Sequence, residues 1–218
     1  MSATASPAAA RHRWGTTKKI RYVGKPLVFV LSLLPIGLIA LRAFEITGTL
    51  GANPVEALMD HFGIWGLRFL IITLAVSPLR QVLGKPWPLQ FRRMLGLFAY
   101  FYIMLHLATY LWLDQYFDAA AIIEDIIERP YITLGMSAVL MLTALAVTSP
   151  HAARRRLGKT WQQIHYLVYP AAILGVWHFW WQVKNDILEP LIYAVLLSGL
   201  LLWRLIKTRA HRSRINPT

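Results

Sequence analysis

Three histidines lie inside apolar segments of this chain, and each has a side chain that can bind a metal. His165 and His178 both fall in the run from Trp161 to Trp181, which is long enough to cross a bilayer as a helix rising about 1.5 Å per residue. His106 lies in a separate apolar segment. Ionisable side chains inside a membrane span are costly, so we interpret all three as functional.

The spacing predicts that two of these histidines share one depth in the membrane. Thirteen residues of helix separate His165 from His178 by roughly 20 Å along the axis. His106 is expected about 20 Å from the basic end of its own span, which is the depth of His178. Two neutral imidazoles facing each other at one depth are the axial ligands that a six-coordinate haem iron needs, and such a haem transfers electrons. A hydrogen bond between helices is the alternative.

His165 has no evident histidine partner at its own depth. The candidates are His151, an external ligand, or a side chain near Arg92 and Arg93. Those two arginines are expected to pair with haem propionates, which need cationic partners in a low-dielectric setting. Arg68 is expected to do the same for an outer haem, with snorkelling to the interface as the alternative.

The helical geometry separates the two histidines of the Trp161 to Trp181 run. On an ideal helix, thirteen residues leave His165 and His178 about 140° apart, so they would not share a face. Pro170 lies between them. We therefore predict a kink or a local unwinding that rotates one half of the segment.

The composition indicates one integral membrane domain. The chain has 218 residues, 56% of them hydrophobic, and a mean hydropathy of +0.46. Its net charge of +13 comes from basic residues between the apolar runs, which form no continuous stripe for nucleic acid. The absence of cysteine excludes disulfides, thiolate metal sites, iron–sulfur clusters and thioether-linked haem. No removable signal peptide is evident.

Apolar runs predict six transmembrane helices between two basic tails, residues 1–25 and 207–218, with the haem-binding domain over 26–206. The second and fourth spans are expected to end at Ser77-Pro78 and Ser149-Pro150, because proline closes a helix. Short connections favour antiparallel neighbours, and we find no clear internal repeat. The six predicted spans are 26–44, 62–80, 94–113, 131–149, 161–182 and 190–206.

The charge distribution predicts the orientation of this bundle. Of the 23 Lys and Arg residues, nineteen fall in residues 1–25, 80–93, 150–160 and 204–218, which all lie on one side of the membrane if the six spans alternate. All ten carboxylates fall in the other three connections. By the positive-inside rule both termini are cytoplasmic. The acidic segment 114–130 is expected to lie as a short amphipathic helix on the outer surface.

Five motifs occur in order along the chain: Arg92 to Leu97, Leu105 to Tyr110, Arg129 to Gly135, Leu157 to His165 and His178 to Lys184. Together they resemble the MsrQ (YedZ) family, the haem-binding membrane subunits of a bacterial periplasmic methionine-sulfoxide reductase system. The similarity extends from about Gly51 to Trp203, and the family is similar to ferric-reductase-like transmembrane cytochromes. The resemblance implies an all-α integral membrane protein, a six-helix bundle of the ferric-reductase-like cytochrome b type.

The resemblance implies that the protein passes electrons from the respiratory quinone pool, or from a cytoplasmic flavin reductase, across the bacterial inner membrane. The carrier would be one or two haems of the b type, and the acceptor a periplasmic molybdopterin subunit, MsrP, that reduces methionine sulfoxide in oxidised proteins. His106, His165 and His178 match the haem-associated histidines of the family. FMN is implied by the resemblance alone, since no Gly-rich phosphate loop is present.

In more distant cytochromes of this kind a second histidine stands where this chain has Arg92 or Arg93. That difference leaves the second ligand of an inner haem open.

Two other functions remain open at this point. A self-sufficient ferric or quinone reductase would reduce a small acceptor directly and would need no partner. A small proton-coupled transporter would use the buried histidines for protons, would be colourless, and would have a water-filled cavity.

Overall fold

The computed structural model describes the backbone of residues 18–183 and 187–215, and the side chains of 18–183 and 187–208. Within these ranges every regular element is a helix, which confirms the all-α prediction. A π-helical segment, Ile20–Gly24, leads into the first helix, and another, Thr109–Asp114, extends the third. The α-helices are α1 (Lys25–Ala43), α2 (Pro54–Leu83), α3 (Leu89–Ala108), α4 (Ala119–Glu128), α5 (Pro130–Val147), α6 (His151–Leu157), α7 (Lys159–His165), α8 (Val168–Gln182) and α9 (Leu188–Ile215).

Five of the described helical segments are long and apolar enough to cross a membrane. They correspond to the predicted spans one to four and six, and they make this a membrane protein with several apolar helices. The remaining predicted span, 161–182, is present as two consecutive shorter helices, α7 and α8. The five segments are Ile20–Ala43, Pro54–Leu83, Leu89–Asp114, Pro130–Val147 and Leu188–Thr208.

The break between α7 and α8 falls at Tyr166 and Leu167, which form a turn. Pro170 follows one turn later inside α8 and explains the position of the break. Proline has no N–H to donate to the carbonyl four residues earlier, here that of Tyr166, and its ring clashes with that carbonyl. The predicted interruption between the two histidines is therefore present, close to His165.

Helix α2 differs from its predicted bounds at both ends. It begins at Pro54, after Asn53 has capped it by accepting a hydrogen bond from the backbone N–H of Glu56 at 3.3 Å. It also continues through Pro78 to Leu83, so the prediction that it ends at Ser77-Pro78 is wrong. A proline inside a membrane helix removes one backbone hydrogen bond, which the helix tolerates where the freed carbonyl finds another partner. The fourth span does end before Pro150, as predicted.

Parts of both predicted tails are helical. The helical backbone at the N-terminal end of α1 already includes Lys18, and α9 continues to Ile215. Residues 1–17 and 216–218 lie outside the described ranges. The division into a membrane domain and two tails stays a prediction.

Two helical hairpins, α2–α3 and α5–α8, repeat the same arrangement, although no repeat was predicted from the sequence. In the first, a His106 ring nitrogen bonds the Met59 carbonyl, 47 residues earlier; in the second, His178 bonds the Tyr131 carbonyl at the same separation. The second pair follows the first by 72 residues, the difference between 131 and 59 and between 178 and 106. The site residues described below come from these two halves.

The core packs α1, α2 and α3 around stacked aromatic rings. Tyr102 is fully buried, lies 5.4 Å from Phe69 between ring centroids, and donates a hydrogen bond of 2.7 Å to the Ser32 carbonyl in α1. On the other side of α2, the fully buried Ala171 and Ala172 allow α8 to approach closely. This packing fixes the positions of α3 and α8, which carry the histidines.

Helix α4 lies in the acidic connection, where a short helix was predicted. Asp118 caps its first turn by accepting hydrogen bonds from the backbone N–H groups of Ala120 and Ala121. The helix presents Ile123 and Ile127 on its exposed side, while Asp125 is buried against the bundle. Its amphipathic character is confirmed.

Candidate cofactor site

The structure brings His106 of α3 and His178 of α8 together. Their ring centroids are 6.1 Å apart, and the ring planes cross at 81°. The sequence predicted a common depth for this pair, and the two imidazoles are indeed neighbours across the space between the two hairpins. The pairing is produced by antiparallel hairpins of matching length, each of which carries its histidine 47 residues after the carbonyl that holds it.

The hydrogen bonds of the two rings define their protonation. Nδ1 of His106 donates to the Met59 carbonyl at 2.8 Å, and Nδ1 of His178 donates to the Tyr131 carbonyl at 2.7 Å. Since a backbone carbonyl can only accept, each Nδ1 carries the proton and each Nε2 keeps its lone pair. Within the described residues neither Nε2 has a hydrogen-bond partner. An oriented imidazole with a free Nε2 is the arrangement found in metal-binding histidines.

Two glycines allow the imidazoles to lie directly against the neighbouring helices. A Cβ atom at Gly63 would lie 3.0 Å from Nδ1 of His106, and one at Gly135 would lie 2.9 Å from Nδ1 of His178. Each glycine stands four residues after the carbonyl that accepts the hydrogen bond, one helical turn away. A side chain at either position would push the ring away from that carbonyl.

Both rings line a cavity of about 300 Å³ between the two hairpins. Its deep part is apolar, and its outer end carries polar and charged groups. The apolar lining includes Leu67, Leu70, Ile103, Leu142 and Ala171, and the outer end includes Asn53, Glu56, Asp60, Asp114, Arg129 and Gln182.

The residues of this cavity fit a haem with two axial histidine ligands. Imidazole nitrogens bind metal ions at about 2 Å, so two such bonds together with the two half-rings account for a centroid separation of 6.1 Å. The apolar walls suit a macrocycle, and at the polar end Arg129 is a cationic partner for its carboxylates. No group of three or more His, Cys, Asp or Glu residues that could hold a bare metal ion occurs in the described ranges.

His165 has a different environment. Its Nε2 lies 3.3 Å from Oγ1 of Thr148, and its ring stacks on Trp161 with centroids 3.9 Å apart. Trp161 in turn donates a hydrogen bond to the Thr148 carbonyl. His151, the other candidate partner, begins α6 and is exposed. The side-chain contacts of His165 are with Thr148 and Trp161. The structure thus does not bring His165 to the His106 and His178 pair, and its role as an iron ligand stays a prediction.

Arg68, an expected partner for a haem propionate, lies outside the cavity lining. Its Nε donates to the hydroxyl of Tyr193 at 2.8 Å, a terminal nitrogen lies 3.4 Å from Glu189, and the guanidinium stacks over Trp65. The sequence reading found no carboxylate partner for Arg68 because Glu189 is 121 residues away in the chain. In this structure Arg68 is thus paired with Glu189, and its role toward an outer haem stays a prediction.

Arg92 and Arg93 lie at the inner end of α3, away from the cavity. Arg93 donates to the hydroxyl of Ser149 at 3.2 Å, and Arg92 is half-buried near His165. These two arginines are therefore placed to act on the surroundings of His165 and not on the His106 and His178 pair.

The sequence reading missed the polar cluster at the outer end of the cavity. Asp125 of α4 accepts hydrogen bonds from the Tyr110 hydroxyl and the Gln115 amide, each at 3.0 Å, and forms an ion pair with Arg129. From the sequence, Asp125 is only one of the ten carboxylates in the connections between spans. The signal that could have identified it is its apolar surroundings in the α4 sequence, which place it on the buried side.

Comparison with known proteins identifies the family. Residues 62–176 match the model for the ferric reductase like transmembrane component. A protein of Xanthomonas oryzae pv. oryzae (strain MAFF 311018), named protein-methionine-sulfoxide reductase heme-binding subunit MsrQ, is 46% identical over 201 residues, or 88% of this chain and 92% of that protein. Proteins of the same name from Azospira oryzae and Rhodospirillum rubrum are 51% and 50% identical, covering 88% and 90% of this chain and 81% and 94% of their own lengths. The chain therefore belongs to the MsrQ family of ferric-reductase-like transmembrane proteins.

Proposed function

We propose that this protein is a b-type cytochrome that carries electrons across the bacterial inner membrane to a periplasmic methionine-sulfoxide reductase. The observation that carries the proposal is the pair of imidazoles, His106 and His178, whose ring centroids are 6.1 Å apart and whose Nε2 atoms have no hydrogen-bond partner among the described residues. The names of the relatives support haem as the ligand of this pair.

Each part of the site has a role in this proposal. The carbonyls of Met59 and Tyr131 orient the two rings and keep their Nδ1 atoms protonated. The apolar walls exclude water, which keeps the environment low in dielectric constant. His106 and His178 would hold a haem in this cavity, and the haem would supply one-electron transfer there.

The route of electrons follows from the orientation of the bundle. The positive-inside rule supports cytoplasmic termini, and in the proposed orientation the cavity end with Glu56, Asp60 and Asp114 faces the periplasm. The electron donor is the quinone pool or a cytoplasmic flavin reductase. The acceptor is the molybdopterin subunit MsrP, which forms a heterodimer with this chain and carries the substrate chemistry.

An inner cofactor near His165 is the second part of this route. A second haem there would receive cationic support from Arg92 and Arg93, and Thr148 would have to release the His165 Nε2. FMN binding is retained as a further possibility by family resemblance. Haem stoichiometry distinguishes one site from two.

The test of haem ligation is an absorption spectrum of the detergent-purified protein before and after reduction. His106→Ala and His178→Ala are each expected to lose the reduced b-type spectrum of the outer site. His61→Ala is the matched control, because His61 is another partly buried histidine of the bundle, in α2, that bonds the Pro35 carbonyl and does not line the cavity. Full haem content in both cavity variants would reject the proposed pair.

The test of the electron route uses the purified protein together with its molybdopterin partner. A reduced quinone is expected to drive methionine-sulfoxide reduction only when both subunits are present, and His106→Ala is expected to abolish it. The family match to a ferric reductase like component favours a second candidate, direct reduction of ferric chelates by this chain. Turnover of a ferric chelate without the partner would support that second candidate. A colourless protein would reject both.

A further inference from the structure

The outer end of the cavity is asymmetric in charge. Three carboxylates line it, those of Glu56 and Asp60 on α2 and of Asp114 after α3. The one cation among the described residues that line this cavity is Arg129, which directly precedes α5. An anionic group of a ligand would therefore be repelled by the α2 wall and attracted to Arg129.

Arg129 is held in place by a buried carboxylate. Its Nε lies 3.1 Å from Oδ1 of Asp125, whose other oxygen accepts hydrogen bonds from Tyr110 and Gln115. Asp125 is only 8% exposed, so this ion pair is anchored on its acidic side. Because Asp125 engages the Nε edge, terminal guanidinium nitrogens remain for a second anion.

The position of Arg129 also connects it to the histidine pair. Arg129 is the residue before Pro130, which begins α5, and Tyr131 follows; the Tyr131 carbonyl accepts the hydrogen bond from His178. The neighbouring Tyr131 side chain, and then the charge of Asp125, raise the pKa of Arg129. The segment that orients one imidazole thus also presents a fixed positive charge at the end of the same cavity.

A cation on this side of the membrane is unusual in this chain. Nineteen of the 23 Lys and Arg residues lie on the cytoplasmic side, and the other four are Arg42, Arg68, Arg129 and Lys184. Arg68 is paired with Glu189, and neither it nor Arg42 lines the cavity. The positive-inside rule gives no reason for Arg129 to be where it is, whereas a ligand carboxylate does.

Building on the proposed haem function, we infer that Arg129, positioned by Asp125, binds a propionate carboxylate of the haem at the outer end of the cavity. A carboxylate is too costly to bury in the apolar part, so it leaves by the polar end, where a guanidinium can bind it with two parallel hydrogen bonds. This contact fixes the orientation of the porphyrin in its plane. It assigns to Arg129 the outer role that the sequence suggested for Arg68.

The experiment compares two porphyrins on the full-length apo-protein in detergent. In haemin both propionates are free carboxylates with a negative charge. In haemin dimethyl ester both propionates are esterified and uncharged. Arg129→Gln is expected to weaken the binding of haemin about tenfold or more, as for a lost charge-assisted hydrogen bond, and to change the binding of the ester by less than about twofold. This difference between ligands is a coupling that a purely structural role would not produce.

Two further variants complete the comparison. Arg42→Gln removes an exposed outer-side charge that does not line the cavity and is expected to leave the affinity for both porphyrins unchanged. Asp125→Asn keeps a side chain of similar size but loses the charge that anchors Arg129, and is expected to give a smaller selective loss of haemin binding. In the haem-loaded protein, Arg129→Gln is expected to lower the midpoint potential, because a nearby positive charge favours the reduced iron.

The outcomes separate this inference from the proposed function. Equal weakening of haemin and its ester by Arg129→Gln, or a selective loss with Arg68→Gln in its place, would overturn the assignment of Arg129 while leaving the histidine pair intact. Failure of the unmodified protein to bind haemin through His106 and His178 would overturn the proposed function itself. A haemin-selective loss confined to Arg129→Gln and Asp125→Asn supports the inference.

Discussion

Replacing Gly135 by alanine tests how closely the His178 ring is held against α5. A Cβ at this position would lie 2.9 Å from Nδ1 and 3.0 Å from Cε1 of His178, whereas ordinary contacts begin at 3.4 Å. The ring, or α5 itself, would therefore have to move by about 0.5 Å, the difference between 3.4 and 2.9 Å. A rotation alone gives little relief, because Cγ would also lie at 3.4 Å.

The consequence for ligand binding follows from the size of this shift. Moving Nδ1 away from the Tyr131 carbonyl by this amount lengthens a hydrogen bond of 2.7 Å to about 3.2 Å, the upper end of the usual range, and displaces Nε2 by a similar amount. Metal–ligand distances tolerate only about 0.2 Å. Because loss of an orienting partner typically weakens metal binding about 10- to 100-fold, Gly135→Ala is expected to weaken haem binding by a factor in that range.

The assay is the haem content per protein, measured as the pyridine haemochrome of detergent-purified samples after a dilution series. Gly63→Ala, which crowds His106 in the same way, is expected to behave alike. Gly37→Ala is the control, since a Cβ there meets nothing within 4 Å and alanine favours a helix. Full haem retention in Gly135→Ala, with unchanged spectra, would show that the close approach of His178 to α5 does not matter for binding.

Three other predictions concern stability, the inner site and topology. Tyr102→Phe is expected to lower the free energy of unfolding by about 1 kcal/mol, because the buried hydrogen bond to the Ser32 carbonyl is lost. A thermal melt in detergent would detect this loss, and an unchanged melting temperature would contradict it. His165→Ala is expected to halve the haem content if two haems bind and to leave the outer-site spectrum in place; loss of all haem would contradict the separation of His165 from the cavity. Because the chain has no cysteine, a single introduced cysteine reports the side of the membrane on which it lies. Glu124→Cys should react with an impermeant maleimide from the periplasmic side, and Lys85→Cys only after lysis. The reverse pattern would invert the proposed orientation.

The membrane fold could be predicted because its signals are local in the sequence. Long apolar runs, their basic and acidic connections and the acidic amphipathic segment each depend on neighbouring residues. The structure confirms helices in the apolar runs and in the amphipathic segment. Even the interruption of the Trp161 to Trp181 run was predictable, since Pro170 affects a carbonyl only one turn away. The failure at Pro78 has the opposite cause: whether a helix survives a proline depends on what else can bond the freed carbonyl, which the local sequence does not state.

The sequence predicted site residues only where the position along the helix axis was sufficient to bring them together. His106 and His178 could be matched because rise per residue gives depth without any knowledge of helix packing. The partners of Arg68 and Arg129, by contrast, depend on which helices are neighbours: Glu189 is 121 residues from Arg68, and the cavity beside Arg129 is formed by helices far apart in the chain. The amino-acid sequence thus determined a helical membrane protein with histidines at defined depths. Only the tertiary structure, by pairing two hairpins around one apolar space, decided which side chains face that space, because this depends on rotations and contacts between helices.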